Sequence, residues 1–219
     1  MPSAYYESYG CQMNAYDTEV ISSLLGSEGI TSVDSPEAAD IIIVNTCSVR
    51  ENAEQRAIGR LNDLSRYGSS LLVVCGCMAQ RMGESLFDAV PGLDLVAGTD
   101  TYLRLSGSIR DALERRHRTA MTRVDGNITY SLVDGGSTGG VTRYLSITRG
   151  CENYCTYCIV PYVRGKVRSK DPETILREAR EMISAGAKEI TLLGQNVMAY
   201  SHGDIDFPRL ARMMLDETD

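Results

Sequence analysis

The sequence predicts an α/β protein in which a mostly parallel sheet domain is followed by a second, shorter β/α segment. Three observations carry this expectation. "AYYESYG", "DIIIVNT" and "LLVVCG" are short runs rich in β-branched or aromatic residues, and each ends in a glycine or a polar turn. Helix-like segments over 16–26, 50–66, 78–87 and 101–117 alternate with these runs, which puts helices on both faces of a parallel sheet. The glycine-rich "DGGSTGG", Asp134–Gly140, breaks the alternation, which then restarts.

Taken in order, the first domain is expected over 1–124, a glycine-rich linker over 125–142 and the second segment over 143–219. The linker has no apolar anchors, and no Gly-Lys-Ser/Thr follows it, so it is not a phosphate loop. In the second segment "RYLSITR" predicts a strand and "KEITLLG" another. Between them "DPETILREAREMISAG" predicts a helix, with Asp171 as N-cap, Pro172 at its first position and Gly186 near its end. "DFPRLARMMLDETD" predicts a final helix. The 77 residues from Arg143 onward supply about two β/α units, too few to close a barrel. Either this segment is small and open, or the chain is the front part of a longer one.

Composition narrows the class. The chain has 219 residues and is 43% hydrophobic, enough for a packed core. No apolar run approaches the roughly 18 residues of a membrane span, and the N-terminus lacks the pattern of a secretory signal. Seven cysteines are an odd and irregularly spaced set, which fits a cytosolic protein using thiolates for metal or redox work better than a disulfide scaffold. The formal net charge is −7, yet two stretches are basic: six Arg against two acidic residues in 101–123, and six Lys or Arg against one in 143–170. These are either solvated surface or local attraction for a phosphate backbone.

The most specific signal is Cys151-x3-Cys155-x2-Cys158. Zinc sites usually complete four protein ligands, often as two separated pairs. Three cysteines on one loop suit a cubane iron–sulfur cluster with one iron left open to a substrate or cofactor, although structural zinc with a distant fourth cysteine and coincidence remain as alternatives. A second set lies in the first domain. Cys11, Cys47 and Cys77 each follow a predicted strand, and in a parallel sheet the carboxyl ends of the strands share one edge. Three thiolates there can hold a second cluster; for any one of them, burial as a small hydrophobe is the bland alternative. Cys75, two residues before Cys77, reads as a core residue. His117 and His202 have no evident partner, and no nucleophile–base pair stands out, so acid–base catalysis is poorly supported.

The Cys-x3-Cys-x2-Cys loop is the signature of the radical S-adenosylmethionine superfamily, which the sequence resembles. With "YGCQMNAYDTEV", "NTCSVRENAEQR", "GCMAQR", "RGCENYCTYCIVPYVRGKVRS" and "ITLLGQNV", the chain is similar over nearly all its length to the methylthiotransferase family. Gln12-Met13-Asn14 after the first cysteine, together with "LLGQNV", resembles the branch acting on dimethylallyladenosine in tRNA. The ribosomal-protein branch tends to have Pro-Lys-Asn there, and the threonylcarbamoyladenosine branch Lys-Val-Asn.

The resemblance implies that the second segment is the start of a radical SAM, partial TIM-like barrel. It implies two [4Fe-4S] clusters, one on Cys151, Cys155 and Cys158 and an auxiliary, sulfur-supplying one on Cys11, Cys47 and Cys77. S-adenosyl-L-methionine would bind the open iron of the first and be split to a 5′-deoxyadenosyl radical. Tyr157 would lie beside its adenine, and Gly194, Gln195 and Asn196 would contact it. Asn14 and Asn45 would border the auxiliary cluster, and Arg164 and Arg168 would face cofactor carboxylate or RNA phosphate unless they are simply solvated. The implied reaction methylates a cluster sulfur with one S-adenosylmethionine. A second generates the radical that removes hydrogen from carbon 2 of an anticodon-loop adenosine, which then takes the methylthio group. The implied partners are tRNA and an electron donor protein, with no membrane and a cytoplasmic location. The family's C-terminal RNA-binding barrel has no counterpart here, so a chain of this extent is expected to be inactive alone. The threonylcarbamoyladenosine branch and a non-catalytic metal-binding fragment are the alternatives.

Overall fold

A computed structural model describes residues 1–115, 117–126, 128–130 and 140–218. The chain divides into two compact units, Met1–Val124 and Asp125–Asp219. Most of the glycine-rich stretch expected as a linker lies outside the described residues.

The first unit is built on β1 (Ser3–Ser8), α1 (Gln12–Ser27), β2 (Thr31–Ser32), β3 (Ile41–Thr46), α2 (Glu51–Leu64), β4 (Leu71–Gly76), α3 (Cys77–Met82), α4 (Leu86–Ala89), β5 (Leu95–Ala97), α5 (Leu105–Arg115) and β6 (Thr119–Met121). The six strands form one sheet in the order β2-β1-β3-β4-β5-β6, and every pairing is parallel. β3 and β4 are buried along their whole length, as the continuous apolar runs of a doubly covered sheet require. One face carries Ile42, Val44, Leu72, Val74 and Val96 packed against Ala57, Leu61 and Leu64 of α2 and Met78 and Ala79 of α3. α1 and α5 cover the sheet's opposite face and touch each other. Fully burying a side chain such as Leu61, which is 0% exposed, contributes about 1.5–3 kcal/mol.

The helix boundaries depart from the expected ones for local reasons. α1 starts four residues before the expected position 16, because Cys11 is extended and acts as its N-cap. The helix expected over 78–87 is broken at Gly83, whose φ is +55°; a 3₁₀ turn over Gly83–Ser85 separates α3 from α4. The one expected over 101–117 opens with a 3₁₀ turn over Tyr102–Arg104. β2, β5 and β6 have two or three residues each, too short to leave a pattern.

The second unit contains β7 (Thr142–Ser146), β8 (Thr148–Arg149), α6 (Val160–Arg164), β9 (Arg168–Ser169), α7 (Pro172–Ser184), β10 (Glu189–Leu193), β11 (Ser201–His202), β12 (Ile205–Asp206) and α8 (Phe207–Thr218). β7 and β10 are parallel neighbours joined through α7, a β/α unit. The strand expected over 143–149 is two: β8 leaves β7's line and pairs antiparallel with β9. Asp171 caps α7 by accepting the Thr174 N–H at 2.9 Å, with Pro172 behind it. Inside, Lys170 donates to both carboxylate oxygens of Glu178 at 3.0 and 3.1 Å. The Tyr200 hydroxyl donates to the Lys170 carbonyl at 2.8 Å.

The basic stretch 143–170 is neither solvated nor a phosphate-facing surface. Arg143, Arg149, Arg164, Arg168 and Lys170 are all buried, and of its six cations only Lys166 has a well-exposed side chain. The Arg149 guanidinium lies 4.7 Å from the Tyr130 ring centroid, a cation–π contact. Arg168 donates to the Arg164 carbonyl at 2.7 Å and also to the Asp125 carbonyl. Arg164 and Arg168 therefore do not stand free to meet an RNA phosphate. In the 101–123 stretch the described arginines are exposed, as a solvated face would have them.

Candidate functional sites

In the first unit the sheet order reverses between β1 and β3, whose carboxyl ends define the crevice where parallel α/β sheets bind ligands. Cys11 follows β1, Cys47 follows β3, and Cys77 opens α3 directly after β4. Two glycines allow the backbones to close in around them. Gly10 has φ +140°, and a Cβ there would sit 2.6 Å from the Cys47 Cβ. Gly76 has φ +94°, and a Cβ there would sit 2.3 Å from Asn45 Oδ1 and 2.4 Å from the Thr46 carbonyl. No side chain larger than hydrogen fits either cradle.

A polar lattice beneath the crevice sets the cysteines' positions. The Cys11 thiol donates to Asn14 Oδ1 at 3.4 Å. Asn14 Nδ2 donates to Asn45 Oδ1 and to the Thr46 carbonyl, both at 3.1 Å. Asn45 Nδ2 returns to the Asn14 carbonyl at 2.9 Å and the Thr18 hydroxyl at 3.0 Å. Both asparagines are fully buried, so each bond satisfies a group that would otherwise be costly. Sequence reasoning placed the two asparagines at the site but missed the clamp on its far side. Arg81, one helical turn after Cys77, donates to Glu54 of α2 and to the hydroxyl of Ser48, the residue after Cys47. An arginine four residues after a cysteine on a short helix is the signal that was there to read.

Cys47 and Cys77 are nearly buried and Cys11 is exposed; all seven cysteines are free thiols. Cys75 lies inside β4 with no exposure. Burial, then the nearby Asp17 carboxylate and Cys77, push its thiol well above the ordinary range. It keeps its proton in the core.

In the second unit the loop from Gly150 to Ile159 carries the other three cysteines. Its base is tight. Gly150 has φ +78°, and a Cβ there would sit 2.0 Å from the Lys166 carbonyl. The Cys151 N–H donates to the Gly165 carbonyl at 3.1 Å, and the Cys158 N–H to the Cys155 carbonyl at 2.9 Å. Cys155 is exposed, and Cys151 and Cys158 are partly so. Tyr157 stands out from the loop, 90% exposed.

Gly194, Gln195 and Asn196 follow β10 and pack on the same loop. Gln195 Oε1 accepts the Gly150 N–H at 2.5 Å, and the Asn196 carbonyl accepts the Thr148 hydroxyl at 3.4 Å. A Cβ on Gly194 would meet Thr148 Oγ1 at 2.0 Å. Gln195 thus anchors the residue before Cys151, a positioning role not foreseen in the sequence. Among the described residues no three His, Cys, Asp or Glu side chains converge as ligands of a single metal ion. The thiol-rich donor sets, their glycine cradles and the partial exposure of both sites fit iron–sulfur ligation.

Residues 3–98 match the family described as "Uncharacterized protein family UPF0004", and residues 145–217 match the radical SAM superfamily. The chain thus carries a UPF0004 segment followed by a radical SAM segment. It is 43% identical over 220 residues to the tRNA-2-methylthio-N(6)-dimethylallyladenosine synthase of Geobacter sulfurreducens, covering 97% of this chain and 49% of that one. The synthase of the same name from Parabacteroides distasonis is 47% identical over 203 residues, covering 90% and 44%. The chain thus spans about half the length of the curated relatives it matches. Among solved structures it resembles the radical S-adenosylmethionine methyltransferase TsrM from Kitasatospora setae, determined with cobalamin and a [4Fe-4S] cluster. There the TM-score is 0.63 at 10% identity, covering 98% of this chain and 52% of that one. It also resembles the cobalamin-dependent S-adenosylmethionine radical enzyme OxsB, at TM-score 0.59 and 15% identity, covering 99% and 37%. At such identities these likenesses speak to the fold. Among the described residues no helix is long and apolar enough to cross a membrane.

Proposed function

We propose that this chain forms the auxiliary-cluster domain and the first part of the radical domain of a tRNA methylthiotransferase. The substrate is N(6)-dimethylallyladenosine in an anticodon loop, converted to its 2-methylthio derivative. The observation that carries the reading is the occurrence, in one chain, of two three-cysteine sets. One follows three parallel strands of the UPF0004 segment; the other lies on a Cys-x3-Cys-x2-Cys loop pinned by the turn after β10. The close sequence relatives bearing the synthase name support the substrate.

In this reading Cys151, Cys155 and Cys158 hold one [4Fe-4S] cluster, and Cys11, Cys47 and Cys77 hold the other. When bound, the first supplies one-electron cleavage of S-adenosyl-L-methionine and the second supplies sulfur. The chain's own residues prepare these sites. Gln195 fixes Gly150 and with it the start of the cysteine loop. Gly194 lets the β10 turn approach Thr148 closely enough for a small cofactor to lie against it, and Tyr157 offers a free aromatic face to an adenine. Asn14 and Asn45 hold the entry to α1 so that Cys11 stays at the crevice, while Arg81 and Glu54 tie the loop bearing Cys47 to the helix bearing Cys77. An electron donor protein supplies the reducing equivalent, and the reaction belongs in the cytoplasm with tRNA.

Two measurements test this. Anaerobically reconstituted complete gene product is expected to hold iron and sulfide for two [4Fe-4S] clusters; zinc at one per chain would refute the assignment. Mass spectrometry of tRNA from cells lacking the gene is expected to show loss of 2-methylthio-dimethylallyladenosine alone. Loss of the methylthio-threonylcarbamoyl nucleoside instead would move the protein to the neighbouring branch.

A further inference from the structure

The cysteine loop carries more aromatic surface than cofactor binding uses. Besides Tyr157, Tyr154 is 55% exposed and Tyr162, on α6, is 68% exposed. Their ring centroids are 6.2 Å apart with an interplanar angle of 81°, an edge-to-face pair. Tyr154 is also, among the described residues, the one non-glycine residue with positive φ, +45°. A residue with a Cβ is strained in that region, and such strain persists where surrounding structure and function impose it. Here it accompanies an aromatic side chain held in the open beside Tyr162.

We infer that Tyr154 and Tyr162 form a stacking platform for an unpaired RNA base next to the one that reacts. This rests on the reading of the protein as a tRNA-modifying enzyme. Single-stranded loops are recognised by splaying bases onto aromatic faces, a mode that needs exposed rings. The cysteine loop and α6 present such rings to solvent, and of the cations between 143 and 170 Lys166 is the exposed one beside them. The edge-to-face geometry braces one ring with the other and leaves an outer face open for a base. An adenine of S-adenosylmethionine needs one ring, and Tyr157 is available for it. Lys166, 3.9 Å from Glu152 and otherwise exposed, can meet a phosphate of the stacked nucleotide.

The test uses the complete gene product, reconstituted anaerobically, and a fluorescein-labelled anticodon stem-loop RNA followed by anisotropy. Tyr162→Ala and Tyr154→Gly are each expected to weaken RNA binding roughly ten-fold or more. Tyr162→Phe is expected to bind as the parent does, because the π face remains. Tyr154→Gly relieves the backbone strain, so it is expected to melt no lower than the parent while binding RNA less well. If Tyr162→Ala loses iron, Tyr162→Leu, which keeps bulk on α6 without a π face, becomes the deciding variant and is expected to show the same loss of RNA binding with iron retained. Parent-like RNA binding by both Tyr154→Gly and the deciding Tyr162 variant would overturn the platform and leave the enzyme assignment standing. Loss of S-adenosylmethionine affinity with RNA binding intact would overturn it too, by giving the rings to the cofactor. A parent protein that binds no stem-loop at all would instead bring down the tRNA reading itself.

Discussion

Cys75 and Cys77 stand two residues apart and meet opposite surroundings. Cys75 points into the sheet's core beside α1, while Cys77 begins α3 at the crevice. Replacing Cys77 with Ala is therefore expected to lower the iron content of the reconstituted protein by about one cluster. Cys75→Ala is expected to leave iron unchanged and to cost only modest stability through a small cavity. Iron and sulfide assays on both variants check this, and the reverse pattern would invalidate the ligand set. The distinction was legible in the sequence because one cysteine lies within an apolar run and the other ends it. The roles of Gln195 and Arg81 were not legible in that way. Each acts through a contact spanning 27 or more residues, and no local pattern announces which distant backbone group or carboxylate a long polar side chain will find.

At the scale of elements, the parallel strands and the helices between them followed from continuous apolar runs and alternating segments. α7 was readable to its capping residue because Asp171 and Pro172 act locally. The boundaries that shifted did so at Cys11, Gly83 and the turn between β7 and β8, where a cap, a left-handed glycine or a change of strand partner overrides periodicity. Gly76 makes the strand-to-helix junction of β4 and α3 possible, and so belongs to this scale. Gly76→Ala is expected to destabilise the protein by about 2 kcal/mol or more, since the added methyl meets Asn45 and Thr46 in a backbone conformation that already disfavours it. Gly26→Ala is the control. It lies inside α1 with open space around it and no positive φ, and is expected to stabilise by about 0.5–1 kcal/mol. Urea-unfolding midpoints of the two variants, moving in opposite directions, would verify the cradle.

Across the whole molecule, each unit carries a tyrosine whose hydroxyl titrates late. Burial pushes both Tyr6 and Tyr200 from 10.0 up to about 12. The folded state holds those protons more tightly than the unfolded chain, so their contribution is complete below pH 10 and is lost as pH rises from 10 through 12. For the buried Tyr200 the loss is on the order of 2–3 kcal/mol. Unfolding free energies measured at pH 9, about 10.5 and about 11.5 are expected to fall along that series, and Tyr200→Phe is expected to flatten the decline. A stability that held level to pH 12 would contradict the burial described. Charge was the property least legible in the sequence, because composition counts cations without saying which face solvent. With Arg143, Arg149, Arg164, Arg168 and Lys170 folded inward, the stretch 143–170 displaces few condensed ions from a nucleic acid it touches. Its own share of any RNA contact should then vary gently with ionic strength, and steep salt sensitivity in the complete protein would have to originate in other segments.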